Sequence, residues 1–325
     1  MRFFGPGRGR WLRRFALATC LSAVFPVAKA QPGADEGIGA AQRIAVVYPE
    51  VREPFRSVFR SIVEGVEAEA PMPVTSIEIS GDQPTASVAE RLRAREIRSV
   101  ILLGKRGLDI SAELDPDLHK VVGAVFASPE IIPAGVEAIS LAPAPRRLFA
   151  FLRDLAPSAE QITVIHGADE NRWLIQMGID AAEELGYRLV AIEVDSIREA
   201  ANAYRDLLER SRSGKDAIWL LQASSFLDES SILQMILREA WNRNLIVFSS
   251  NPSHVPKGAL FSLFPDNEMM GRDLARLAAK NPGAQTTLLP VEALQTAVNV
   301  RTADHLGLGL GASARQRFDM VFPNR

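Results

Sequence analysis

From Ile44 onward the chain alternates short continuous apolar runs with stretches of helical periodicity. Continuous runs mark strands buried on both faces, as parallel sheets require, because a half-solvated strand would alternate apolar with polar. In the first half, strands are expected at Ile44 to Tyr48, Val74 to Ile79, Val100 to Leu103 and Val121 to Phe126. Between the first two, Phe55, Val58, Phe59, Ile62, Val63 and Val66 fall at i, i+3, i+4, i+7, i+8 and i+11, one stripe of an amphipathic helix. Phe55 opens the stripe and reads as core.

The second half repeats the order. Strands are expected at Ile162 to Ile165, Leu189 to Val194, Ala217 to Leu221 and Leu245 to Phe248, with helices near Asn171 to Leu185, Arg198 to Ser211 and Glu229 to Arg243. Ile162 lies 118 residues after Ile44, and Ala217 lies 117 after Val100. The even offset predicts an α/β protein of two similar doubly wound parallel-sheet lobes, each of ordinary domain size. The Pro-rich stretch Leu141 to Pro145 reads as a linker, and Pro252 to Lys257 as a second break. A strand, Ala259 to Phe264, and a helix, Glu268 to Ala279, are expected to cross back to the first lobe, and the tail from Leu294 to return to the second. The expected organisation is a multi-crossover hinge between residues 43–142 plus 259–293 and residues 143–258 plus 294–325.

Charge changes the picture at the N-terminus. The whole chain has 37 basic and 39 acidic residues, yet the first 30 residues hold six basic groups and no Asp or Glu. An Arg-rich start, an apolar stretch from Phe15 to Val27 and the sequence Ala28-Lys29-Ala30 have the layout of a cleaved secretory signal peptide. That stretch is shorter than the roughly 20 residues a membrane-spanning helix needs. Cleavage is expected after Ala30, releasing the mature chain from Gln31 to the periplasm, while Cys20 and Arg13-Arg14 leave lipidation and a twin-arginine route as alternatives. The remainder has 31 basic groups (37 less 6) against 39 acidic ones, an excess that repels polyphosphate, so nucleic acid is not an expected partner. Cys20 is the only cysteine, so the mature chain has no disulfide, zinc-thiolate site or cysteine nucleophile.

In open parallel sheets a ligand sits beyond the carboxyl ends of the strands, where loops and helix N-termini converge. That rule selects Tyr48, Glu50, Lys105 and Ser128 in the first lobe, and His166, Asn171, Gln222, Ser224, Ser225 and Asn251 in the second. Hydroxyls, amides and one cation suit a small polar molecule held between lobes. The structural alternatives are a solvated Lys105-Arg106 pair and helix caps at Ser224-Ser225 and Ser249-Ser250. Catalytic signatures are missing: the four histidines are scattered, and no HExxH, GxSxG or GxxxxGK[ST] occurs. Gly307, Gly309 and Gly311 mimic part of a dinucleotide loop but read as turn glycines. Neither an enzyme nor a cofactor or metal site is expected.

Four stretches, Ile162 to Asn171 (ITVIHGADEN), Asp216 to Gln222 (DAIWLLQ), Gly258 to Gly271 (GALFSLFPDNEMMG) and Val298 to Leu308 (VNVRTADHLGL), resemble the periplasmic substrate-binding proteins of ABC transporters. The similar group has the type I periplasmic-binding fold and includes aromatic amino-acid binders. With the export signal and lobe order, the resemblance covers nearly the whole mature chain. It implies a monomeric two-lobe clamp that closes on a small molecule and presents it to an inner-membrane ABC permease, with Asn171 matching the family's Asn that faces the cleft. Where relatives often have a Thr-Ala pair, this chain has Gly104-Lys105, which is expected to favour an anionic ligand. Where they often have an Asp that suits an ammonium, it has Gln222-Ala223-Ser224. The alternative output for the same clamp is a membrane sensor or an outer-membrane uptake system.

Overall fold

The computed structural model describes residues 43–167, 171–222, 224–280, 286–310 and 314–323. The expected leader and the third glycine, Gly311, lie outside the described residues.

The first sheet is built from β1 (Ile44–Pro49), β2 (Thr75–Ile79), β3 (Ser99–Leu103), β4 (His119–Val125) and β5 (Val136–Pro143). Helices α1 (Phe55–Glu69), α2 (Thr85–Ala94) and α3 (Gly104–Ser111) connect the first four strands. In the second half, α4 (Pro145–Leu155) leads into β6 (Gln161–Gly167), α5 (Arg172–Leu185), β7 (Arg188–Val194), α6 (Ile197–Arg210), β8 (Asp216–Leu220), α7 (Ile232–Arg243), β9 (Ile246–Ser249) and β10 (Phe261–Pro265). The chain continues through α8 (Asn267–Ala278), β11 (Thr287–Val291), β12 (Leu294–Asn299), α9 (Val300–His305), α10 (Ala314–Arg317) and β13 (Met320–Phe322).

The two sheets run β11-β5-β4-β3-β1-β2 and β13-β12-β10-β9-β8-β6-β7. Counted within each lobe, both contain the order 2-1-3-4-5 of a doubly wound fold, which accounts for the even offset of the two halves. Every pairing is parallel except β10 with β12. Each sheet has an apolar layer on both faces. Val100 and Leu102 of β3 enter one layer and Ile101 and Leu103 the other, while Trp219 and Leu220 divide β8 in the same way. Removing such side chains from water stabilises the fold by about 1.5–3 kcal/mol for each large one, before the ordering cost is set against it.

The structure departs from the expected elements in three places. Phe55 is 63% exposed: α1 is buried only from Ile62 onward, so its first turn projects past the core. The expected linker Leu141 to Pro145 does hold a passage between the sheets, at Ala144, but its first three residues end a strand, β5, which lies inside the first sheet between β4 and β11. Its prolines are tolerated because Pro143 stands at the strand's last position, where the ladder shifts register, and Pro145 opens α4. Finally, the strand expected to complete the first lobe belongs to the second sheet, paired with β9 and β12. The chain crosses to the first lobe only after Pro265, through α8 and β11.

The chain therefore passes between the sheets at Ala144, at Asp266 and at residues 292–293. These passages are tied to one another. The Ala144 amide donates to the Val291 carbonyl at 3.0 Å, and the Asp266 amide donates to the Ala293 carbonyl at 3.0 Å. Arg147 Nε meets Glu292 Oε2 at 2.9 Å beside them. Short segments bonded side by side let two rigid bodies rotate with few backbone changes.

Candidate functional site

A cavity of 450 Å³ opens between the lobes, next to the crossovers. Its first-lobe wall is Phe126, Ala127, Ser128 and Ile131, which follow β4, with Ser140, Ala142 and Pro143 of β5. The second lobe contributes Asn171, Trp173 and Leu174 at the start of α5, Gln222, Ser224 and Ser225 after β8, and Ser250 after β9.

Local backbone irregularity shapes the first wall. Between Val122 and Val125 the β4–β5 register slips, with two residues of β4 facing one of β5. Ala124 takes a left-handed φ of 57° there, uncommon for a residue with a Cβ. Such a bulge bends the strand and re-aims the residues after it, here Phe126 and Ala127. The buried Ser140 hydroxyl then fixes the loop, accepting from the Ala127 amide at 3.2 Å and donating to the Ala127 carbonyl at 3.3 Å. Phe126 and Ile131 are left 37% and 52% exposed, an apolar surface on the cleft wall.

The second wall is held from beneath. Trp219, fully buried in β8, donates its indole N–H to Ser250 Oγ at 3.0 Å. Ser249 Oγ lies 2.8 Å from His254 Nδ1 and accepts from the Asn251 amide at 2.9 Å, which sets the turn after β9. Burial pushes the His254 imidazole below its ordinary pKa, with Lys257 adding to the fall and Glu229 opposing it. At the cleft lip the Ser128 hydroxyl beside Glu130 holds that carboxylate below its usual range, and Arg172 of the opposite lobe adds to the effect.

Of the ten residues selected from the sequence, Ser128, Asn171, Gln222, Ser224 and Ser225 come together in this cavity. Five others are placed elsewhere. Tyr48, near the end of β1, and Glu50, just after it, lie on the side of the sheet away from the crossovers and line a separate hollow with Arg56, Arg60 and Glu78. Lys105 is exposed on α3 and bonded to Asp109 at 2.8 Å, so the expectation of an anionic ligand held by Lys105 does not carry over to the cavity. His166 is buried, its Nδ1 donating to the Gly167 carbonyl at 2.9 Å. Asn251 accepts from the Ser253 amide and caps the short turn Pro252–His254.

Sequence reasoning missed the apolar half of the site. Ile131 ends the short turn Pro129–Ile131, and Trp173 and Leu174 stand in the first turn of α5, Leu174 packed into the core behind the wall, where an apolar residue is indistinguishable from core until its exposure is known. Gln222 Oε1 is buried and accepts no hydrogen bond. Among the described residues, no group of three or more His, Cys, Asp or Glu is placed to hold a metal ion, and no helix is long and apolar enough to cross a membrane.

No protein-family model matches the chain, and no curated protein matches it. Solved structures do. A substrate-binding protein with adhesive properties from Clostridium difficile, in its ligand-free, open form, superposes with a TM-score of 0.62 at 13% identity, over 87% of this chain and 100% of that one. A conserved domain protein from Vibrio cholerae gives 0.50 at 16% identity, over 86% and 99%. An ABC domain from Streptococcus pneumoniae in complex with L-Trp gives 0.49 at 17% identity, over 86% and 100%. The chain has the type I periplasmic-binding fold, as its sequence resemblance implied.

Proposed function

We propose that this protein is an exported solute-binding protein that captures a small molecule between its two lobes by hinge closure and delivers it to an ABC-type importer of the inner membrane. The observation that carries the reading is the position of the cavity: both lobes supply its walls, at the carboxyl ends of both sheets, directly beside three bonded crossovers. The likeness to a substrate-binding protein supports it. The moving bodies in this reading are the two sheets with their helices, the first lobe taking the described residues of 43–143 and 267–291 and the second those of 145–265 and 294–323. Solute that touches both walls favours the closed state by the contacts it makes only there. The described lining groups are hydroxyls, amides and apolar side chains, which suit holding a solute.

The test uses the chain from Gln31 onward, unfolded and refolded to strip carried-over solute. Its melting temperature is recorded against amino acids, small carboxylates, sugars and nucleosides, with solution scattering on each hit. A binder of the native state raises the melting temperature by mass action, and the clamp requires that the same compound compact the protein. A set of binders with no compaction would remove the clamp. Export is tested separately by sequencing the N-terminus of the secreted protein, expected to start at Gln31.

A further inference from the structure

The chemistry of the cleft narrows the solute; this inference rests on the clamp reading above. Two features stand out. The walls pair Phe126 and Ile131 of one lobe with Trp173 and Leu174 of the other, four apolar side chains suited to the faces of a flat ring. The polar lining consists of serines, Asn171 and Gln222, and among the described residues no Asp, Glu, Lys, Arg or His lines the cavity. Among the described lining residues a charged solute would find no counter-charge, the Glu130 carboxylate and Arg172 lying at the lip, whereas uncharged donors and acceptors can be matched by hydroxyls and amides.

Two groups specify the polar edge. Gln222 Oε1 is shielded from solvent and accepts nothing from the protein, so it offers an acceptor that a ligand N–H would satisfy. Ser250 Oγ already accepts from the Trp219 indole, which leaves its own proton to donate. One acceptor and one donor on the same lobe match a ligand that carries N–H and C=O together. Ser140 is not available for this role, because its hydroxyl is engaged with Ala127 and Ala142.

We infer that the cleft selects an uncharged aromatic or heteroaromatic carboxamide, its N–H on Gln222 and its C=O on Ser250, over amino acids, carboxylates and amines of the same ring. A cavity of 450 Å³ has room for one or two fused rings.

The experiment compares matched probes at equal millimolar concentration on the refolded chain from Gln31: phenylacetamide and nicotinamide against phenylacetate, nicotinate, phenethylamine and L-phenylalanine. Melting temperature and calorimetric affinity are read for each. The neutral amides are expected to bind at least about tenfold more tightly than their charged counterparts, the ratio a single well-placed neutral interaction supplies. Gln222→Leu should cost the amides about tenfold in affinity while leaving the melting temperature of the empty protein within a degree or so, and Gln222→Glu should move preference toward phenethylamine. Should Gln222→Leu fail to fold, Gln222→Asn withdraws the acceptor by one methylene and is read in the same way. The inference is overturned if L-phenylalanine or another charged probe binds as tightly as its amide, if no amide shifts the melting temperature, or if folded Gln222 variants keep full amide affinity. In each case compaction with some other solute would leave the clamp reading standing.

Discussion

Gly65 of α1 and Gly271 of α8 face each other's helices at a crossing with no room for a Cβ on either side. A Cβ on Gly65 would overlap the Glu268 carbonyl oxygen, and one on Gly271 would overlap the Ile62 carbonyl oxygen. Both obstacles are backbone, so neither can rotate aside. The crossing is also where the chain, arriving from β10 of the second sheet, is fastened to the first lobe, with Arg276 and Glu69 bonded at 2.9 Å beside it. Gly65→Ala or Gly271→Ala should therefore destabilise the protein by about 1–3 kcal/mol, as overpacking of a tight contact does. The double variant should cost less than the two together, because either methyl alone already separates the helices. Urea midpoints measure this, and unchanged midpoints would mean that the helices part without cost.

The Ser140 hydroxyl anchors the cleft wall from within the first sheet. Ser140→Ala strands the buried Ala127 amide and is expected to cost about 1–3 kcal/mol, the range for leaving a buried donor unsatisfied. Because Ala127 carries the loop holding Phe126 and Ser128, solute affinity should fall as well, although Ser140 itself is committed to the backbone. Ala124→Val provides the companion test. A β-branched residue resists the left-handed φ of 57° more than alanine does, so the variant should be less stable than wild type. Thermal unfolding with and without a bound solute separates the loss of stability from the loss of affinity.

Much of the architecture was legible because parallel sheets buried on both faces leave continuous apolar runs, and those runs recur at an even offset. What they cannot encode is sheet membership. Phe261 to Pro265 reads as an apolar strand that either sheet could take, and its pairing with β9 depends on where the turn at Pro252–His254 directs the chain. Pro143 and Pro145 concealed β5 because proline argues against a strand interior, but here they stand at a strand end and a helix start. For the candidate site, the carboxyl-end rule selected Ser128, Asn171, Gln222, Ser224 and Ser225, which line the cavity, without knowing which edge of each sheet faces the hinge. That missing fact removed Tyr48, Glu50 and Lys105. For Lys105, the spacing to Asp109 was already an i,i+4 ion-pair signal.

His254 gives the fold a specific pH response. Its folded pKa lies below the unfolded value of about 6.5, chiefly through burial, so within this window the unfolded chain binds the extra proton. The stability His254 contributes is present above the unfolded value and is lost as pH falls through that value toward the folded one, below which the loss is constant. His254→Asn can keep a partner for Ser249 Oγ while removing the titration. The prediction is that wild type loses stability between roughly pH 7.5 and 5.5 and that the variant, less stable overall, has a flatter curve there. Equal slopes in the two proteins would assign the response to other groups. The carboxylates with depressed pKa values, such as Glu160 and Glu229, act at lower pH, where their stabilisation is lost on protonation.

Tryptophan fluorescence should report closure, because the described tryptophans sit in three different settings. Trp219 is fully buried and bonded to Ser250, so lobe motion leaves its surroundings largely as they are. Trp241 is stacked on His305 with ring centroids 3.7 Å apart and lies on the outer side of the second lobe, in hollows that share no residue with the cleft. Trp173 alone of the three lines the cavity, at the start of α5 and partly exposed. Solute binding with closure removes water from its indole, and the emission should shift to the blue by several nanometres. Trp173→Phe keeps an aromatic wall and should retain most of the affinity, as measured by calorimetry, while abolishing the shift. A blue shift that survives in Trp173→Phe would place the change at Trp219, which a solute on Ser250 reaches through the indole hydrogen bond, or at Trp241, and would remove Trp173 as the reporter of closure.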